Sequence, residues 1–156
     1  MLSNLKNSLY FIAGPTAIGK SSLAIRLAKK IDGVIINSDS MQVYSNLRIL
    51  TARPSELDHK LIKHKLYGYV DGNKRYNVAR WCNDIIKIIE NNDKKNYPSI
   101  IVGGSGMYIN SLINGLIDLP HIDEKYKKKS QELLNKIGVN NFIKNIFSFD
   151  REALNN

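Results

Sequence analysis

Short apolar runs that stop at glycine or proline alternate along this chain with longer stretches in which apolar residues return every three or four positions. That alternation predicts repeated strand-loop-helix units. Residues 8–13 (SLYFIA) read as a buried strand halted at Gly14-Pro15. A helix follows over residues 20–31, with Leu23, Leu27, Ala28 and Ile31 on one face, Lys29 and Lys30 at its C-terminal end, and Gly33 as the stop. Residues 33–37 (GVIIN) form a second strand, which places Asp39, within Ser-Asp-Ser, at a strand's carboxyl edge. Ser55 and Asp58 make a capping box for a short helix to Ile62, and residues 64–70 alternate loosely enough for a third strand. Asn77 caps a longer helix in which Trp81, Ile85, Ile88 and Ile89 share a face, ending in the polar stretch 91–96. After Pro98, residues 99–102 (SIIV) form a fourth strand running into Gly103-Gly104-Ser105-Gly106, and a helix over 107–114 closes at Gly115. Strands joined by helices predict an α/β fold, a parallel sheet with helices on both faces. Beyond Pro120 the pattern becomes polar, with helical stretches at 123–137 and 140–148. The expected division is a core over residues 1–120 and the start of a helical element over 121–156.

Composition narrows the class. With 156 residues, 43% of them hydrophobic, the chain can bury a core without staples. Its single cysteine, Cys82, cannot form an internal disulfide, and the opening residues hold only a five-residue apolar run where a signal peptide needs a longer one. No stretch approaches the roughly 20 apolar residues of a membrane span. A reducing compartment is expected, the cytoplasm first, with an organelle left open, and no membrane partner. The net charge of +9 exceeds what solubility requires and is spread over the chain, so an anionic partner, phosphate or nucleic acid, is favoured over a plain bias towards Lys and Asn.

The chemistry concentrates in a few short strings. Gly14-Pro15-Thr16-Ala17-Ile18-Gly19-Lys20-Ser21 satisfies G-x-x-x-x-G-K-[ST] between a predicted strand and a predicted helix, where a phosphate-binding loop belongs. Glycines let backbone N–H groups turn towards phosphate oxygens, Lys20 reaches a terminal phosphate, and the Ser21 hydroxyl suits Mg²⁺. The motif specifies a polyphosphate without saying which. Asp39, at the neighbouring strand end, is placed to act as general base or to hold the metal, against the simpler role of an Asx-turn. The Gly103–Gly106 cluster is expected to border the same cleft. His59, His64 and His121 lack metal spacing, and with Cys82 they default to structural roles. The run Lys125, Lys127, Lys128 and Lys129 reads as a solvated helix face with a phosphate backbone as the competing use.

Taken together, GPTAIGKS, INSDSMQVY, TARP at residues 51–54 and VGGSGMYINSLINGL at residues 102–116 resemble the tRNA dimethylallyltransferase (tRNA isopentenyltransferase) family in order and spacing. The resemblance implies a P-loop kinase-like core followed by a helical insertion that grips the anticodon stem-loop. It also implies transfer of a dimethylallyl group from dimethylallyl diphosphate to N6 of the adenosine beside the anticodon, with Mg²⁺ on the leaving diphosphate. Under it, Asp39 and Thr16 are catalytic, residues 14–21 hold the diphosphate, Ser21 holds the metal, and Asp39, Ser40, Met41, Gln42, Ser105 and Lys127 meet tRNA. Ser105 stands where the family usually has threonine, and Arg53 where TAKP has lysine. Only the first half of the family pattern is present, with no QRLxRAxE-like helix. The expectation is therefore a monomer that needs a missing C-terminal half, whether as a fragment, a decayed gene or one part of a split enzyme. Related alternatives are an adenylate isopentenyltransferase, a small-molecule kinase using ATP at the same loop, and an inactive phosphate- or tRNA-binding remnant.

Overall fold

The structure is a computed structural model that describes residues 8–116 and 122–149. It divides into two compact units, residues 1–116 and 117–156. In the first unit the elements run β1 (Leu9–Ala13), α1 (Lys20–Ile31), β2 (Val34–Asn37), a 3-10 turn (Ser45–Leu47), α2 (Glu56–Leu61), β3 (His64–Lys65), α3 (Val78–Lys94), β4 (Ser99–Gly103) and α4 (Gly106–Asn114). The four strands form one sheet in the order β1-β4-β2-β3, every pair parallel. The α/β expectation is met.

Continuous apolar strands are what a sheet covered on both faces requires. Val34, Ile36 and Ile101 point to one face and pack with Trp81, Ile85 and Ile89 of α3 and with Tyr108 and Leu112 of α4. Ile35, Ile100 and Val102 point to the other and pack against Ala24 and Ala28 of α1. The expected α1 face is met at Ala28, with Leu27 and Ile31 packed beside it, and corrected at one position. Ala24 is buried there while Leu23 is half-exposed, because small side chains let the helix lie close to the strands. The end of α1 is corrected too. Asp32, not Gly33, adopts the left-handed conformation (φ 50°), and Gly33 is needed for space, since a Cβ there would lie 2.9 Å from Ile100 Cδ1.

The third strand is shorter than the alternation suggests. Leu66 (φ 62°) and Gly68 (φ 57°) break it after two residues, and pairing resumes only as a bridge between Val70 and Tyr44. The Ser55–Asp58 capping box forms as expected, and Asn77 caps α3 through the Arg80 N–H. The longer run of α3, through residues read as polar punctuation, is explained by Asn92, which is buried and donates to Ser99 Oγ at 2.9 Å.

The second unit holds α5 (Glu124–Phe149), in which Gly138 (φ 76°, ψ 162°) is non-helical, so that two helices meet there as the two polar stretches predict. His121 lies outside the described residues. No helix among the described residues is long and apolar enough to cross a membrane.

Candidate functional site

Parallel pairing brings the carboxyl ends of β1, β2 and β4 to one edge of the sheet: Ala13 lies beside Gly103, and Asn37 beside Val102. The loops that leave these ends therefore meet, as ligand-binding loops of open α/β sheets do. How closely they meet depends on glycine. A Cβ on Gly103 would lie 2.5 Å from the backbone carbon of Ser38, and one on Gly104 would lie 3.3 Å from the Gly14 carbonyl oxygen. The cluster Gly103-Gly104 thus lets the β4 loop touch the loops after β1 and β2 at once.

Between them opens a cavity of about 600 Å³. One wall is the β1-α1 loop and the first turn of α1: Thr16, Ala17, Gly19, Lys20, Ser21 and Ser22. Gly19 is the N-cap in the left-handed conformation (φ 89°), it has no side chain with which to cap the helix, and the first turn carries no acidic residue. The first N–H groups of α1 are thus left to an incoming anion, and the helix dipole favours one. Lys20 Nζ lies 2.6 Å from the Pro15 carbonyl, folded back over the loop. Gly14, Pro15 and Ile18 do not line the cavity. Ile18 instead lays its Cδ1 over Gly14, 2.6 Å from where a Cβ would stand.

The loop after β2 supplies a second part of the lining. Asp39, Met41 and Gln42 line the cavity, joined by Leu50, Thr51, Ala52, Tyr67, Val102 and Gly103. Asp39 Oδ1 accepts the Met41 N–H at 2.8 Å, and Gln42 Nε2 donates to the Thr51 carbonyl at 2.8 Å. Ser105 stands at the N-cap position of α4 without capping it, and its Oγ instead accepts the Ser40 N–H at 3.1 Å, so the two residues are bonded across 65 positions. Leu50, Thr51, Ala52 and Tyr67 had no assigned role. TARP carries the only sequence signal for two of them, and Tyr67 was read as an ordinary strand residue. The Tyr67 hydroxyl is held well above the usual tyrosine range, first by burial and then by the Asp39 charge, so it stays a neutral phenol beside that carboxylate.

Among the described residues no group of three or more His, Cys, Asp or Glu side chains converges. A cation in this cavity would draw on the Ser21 hydroxyl, and Asp39 lines the same cavity. Its remaining positions would go to ligand oxygens and water, and this sparse oxygen set fits Mg²⁺. His59 and His64 instead meet as tilted rings with centroids 4.8 Å apart, each edge-on to Tyr67, and burial pushes the Cys82 thiol up. Lys127 belongs to the second unit, on α5, where it pairs with Glu124 at 2.6 Å while its side chain stays 57% exposed. An ion pair so exposed is worth little and yields readily to a competing phosphate.

Comparison with known proteins follows from this geometry. Residues 42–156 match the family described as IPP transferase. The tRNA dimethylallyltransferase of Pelagibacter ubique is 48% identical over 145 residues, covering 93% of this chain and 46% of that protein. That of Ehrlichia ruminantium is 45% identical over 136 residues, covering 87% and 45%. Among solved structures, a eukaryotic dimethylallyltransferase acting on tRNA superposes with a TM-score of 0.79 at 28% identity, over 95% of this chain and 37% of that one. The tRNA isopentenylpyrophosphate transferase of Bacillus halodurans gives 0.70 at 30%, over 95% and 49%. The chain spans about half the length of the curated relatives it matches. A match that runs over nearly three quarters of the chain, joined to relatives of this identity, places it by descent as well as by fold: the chain belongs to the IPP transferase family.

Proposed function

We propose that this fold serves transfer of a dimethylallyl group from dimethylallyl diphosphate to N6 of an adenosine beside the anticodon of tRNA. The observation that carries the reading is one cavity shared by the phosphate-type loop and Asp39, with the apolar Met41, Leu50 and Val102 in the same lining. A diphosphate with a short hydrocarbon tail needs that combination: N–H groups and a lysine for one end, apolar surface for the other. Thr16 and Lys20, with the open N–H groups of α1, hold the diphosphate as the allylic C–O bond breaks, and so stabilise the charge that builds on the leaving oxygen. The adenine nitrogen attacks the allylic carbon, a C–N bond forms, and Asp39 takes the N6 proton. Mg²⁺, held at Ser21, would supply charge neutralisation to the diphosphate. Met41 and Gln42, which line the cavity, with Ser40 and Ser105, which are bonded to each other, are the positions of this unit that would meet tRNA, and the target base must leave its stack to enter. The named activity of the relatives supports the same chemistry. The test is mass spectrometry of tRNA for N6-dimethylallyladenosine after incubation with the donor. It is run with the chain alone and with the C-terminal half of the Pelagibacter relative added. Absence of product in both arms, from folded protein, refutes the reading.

Two variants probe the two binding ends. Lys20→Ala removes the main side-chain charge on the diphosphate, a charge-assisted contact of about 1.5 to 3 kcal/mol, so affinity for pyrophosphate falls at least about tenfold. Calorimetry that finds unchanged affinity in the folded variant rules out the phosphate role of the loop. Lys127→Ala weakens tRNA binding and lowers the slope of log affinity against log salt by about one phosphate contact. An unchanged slope leaves Lys127 as part of a solvated face.

A further inference from the structure

The backbone around Asp39 is held by one buried side chain to which nothing above assigns a role. Asn37 ends β2 with 0% of its surface exposed. Its Oδ1 accepts the Asp39 N–H at 2.9 Å, while its Nδ2 donates to the Asp39 carbonyl at 2.9 Å and to the Leu66 carbonyl at 3.0 Å. These partners dictate the orientation of the amide, since the reverse would set NH₂ against N–H and oxygen against two oxygens. Both main-chain groups of Asp39 are thus clamped from two residues away, and the loop after β2 is tied to the chain leaving β3. The Asn37 carbonyl in turn accepts the indole N–H of Trp81 at 2.9 Å. Trp81 is fully buried on α3, with its ring centroid 4.7 Å from that of Tyr108. Apolar packing alone would be served by any large side chain there, whereas the bond to Asn37 needs an N–H. The chain of contacts runs from the core helix through Asn37 to the one carboxylate on the cavity wall.

We infer that Asn37, seated by Trp81, is a positioning residue that holds the Asp39 carboxylate at the cavity wall. The catalytic consequence rests on the proposed role of Asp39, and the geometric one does not. The two are therefore measured separately. Amide hydrogen exchange is followed by NMR in the 156-residue chain. Asn37→Ala is expected to speed exchange at Asp39 and Met41 by about tenfold or more, as loss of a net hydrogen-bond contribution implies. The amides of Ile35 and Ile101 at the sheet centre keep their protection, and pyrophosphate affinity stays within about twofold, because the phosphate loop is untouched. Trp81→Phe keeps an aromatic ring but removes the donor. It loosens the same two amides and carries the test if Asn37→Ala fails to fold. In the turnover assay Asn37→Ala lowers kcat without raising KM for the donor. Asn37→Ser recovers part of the loss, since its hydroxyl can still accept the Asp39 N–H. Unchanged exchange at Asp39 and Met41, or protection lost evenly across the sheet, overturns the inference. Loosened amides with unchanged kcat overturn its catalytic half. Loosened amides in a protein that makes no product under any condition leave the positioning in place and refute the proposed function instead.

Discussion

Asp39→Asn is expected to lower turnover by about 10² to 10⁴-fold while pyrophosphate affinity stays within a few-fold. The two effects separate because Asp39 stands on the β2 loop and not on the phosphate loop, although both line one cavity. In the proposed reaction diphosphate binding draws on the Lys20 ammonium and the open N–H groups of α1, and the substitution alters neither. Asparagine also keeps the local structure. Its side-chain oxygen can still accept the Met41 N–H that Asp39 Oδ1 accepts at 2.8 Å, and the clamp from Asn37 acts on main-chain groups that every residue has. Only proton acceptance is lost, and N6 sheds its proton only in the chemical step. The measurement pairs steady-state rates in the tRNA assay with calorimetry on pyrophosphate. A fully active Asp39→Asn variant reduces Asp39 to the Asx-turn that its bond to Met41 already forms.

The second large effect belongs to a residue with no functional group. Gly103→Ala sets a methyl 2.5 Å from the Ser38 backbone carbon and 2.4 Å from Ser38 Oγ. A flexible side chain could move aside, but the backbone of Ser38 is held by its N–H bond to the Val102 carbonyl at 2.8 Å and by the fixed register of β2 on β4. Relief requires the two strand ends to part, which costs about 3 kcal/mol or more at an overpacked position. Thermal unfolding should fall by roughly 10 °C. Pyrophosphate binding should weaken as well, because Gly103 also lies beside Ala13, the last residue of β1 before the phosphate loop. Gly106→Ala is the control. Nothing lies within 4 Å of a Cβ there, and the residue opens α4, so its melting temperature should match or exceed that of the parent. Equal melting of the Gly103 and Gly106 variants refutes the close-approach explanation.

Much of this was legible in the chain because it depends on neighbours in sequence. Helix α1, the Ser55–Asp58 capping box, the α3 face of Trp81, Ile85 and Ile89 and the break at Gly138 follow from spacing, caps and the conformational needs of single residues. The phosphate-type loop is a string of eight consecutive residues, and its strand and helix stand directly on either side. The parallel sheet was also readable, since apolar strands separated by helices leave few other ways to cover both faces.

What sequence could not supply was anything that rests on two distant backbones coming close. That the Gly103 cluster borders the cleft of the phosphate loop was an expectation, and Gly103 does line it; the order β1-β4-β2-β3 supplies the individual contacts, and no local signal encodes a neighbour 65 residues away, as the bond between Ser40 and Ser105 spans. The shortening of β3 at Leu66, the burial of Ala24 in place of Leu23 on α1, and the use of Tyr67 as cavity wall were decided by the space the assembled core leaves. Asn37 is the clearest case. In the sequence it is one polar residue at the end of an apolar run. Its function as a clamp exists only once Leu66, Asp39 and Trp81 surround it, because a buried amide needs a partner for each donor and acceptor, and those partners come from three separate parts of the chain.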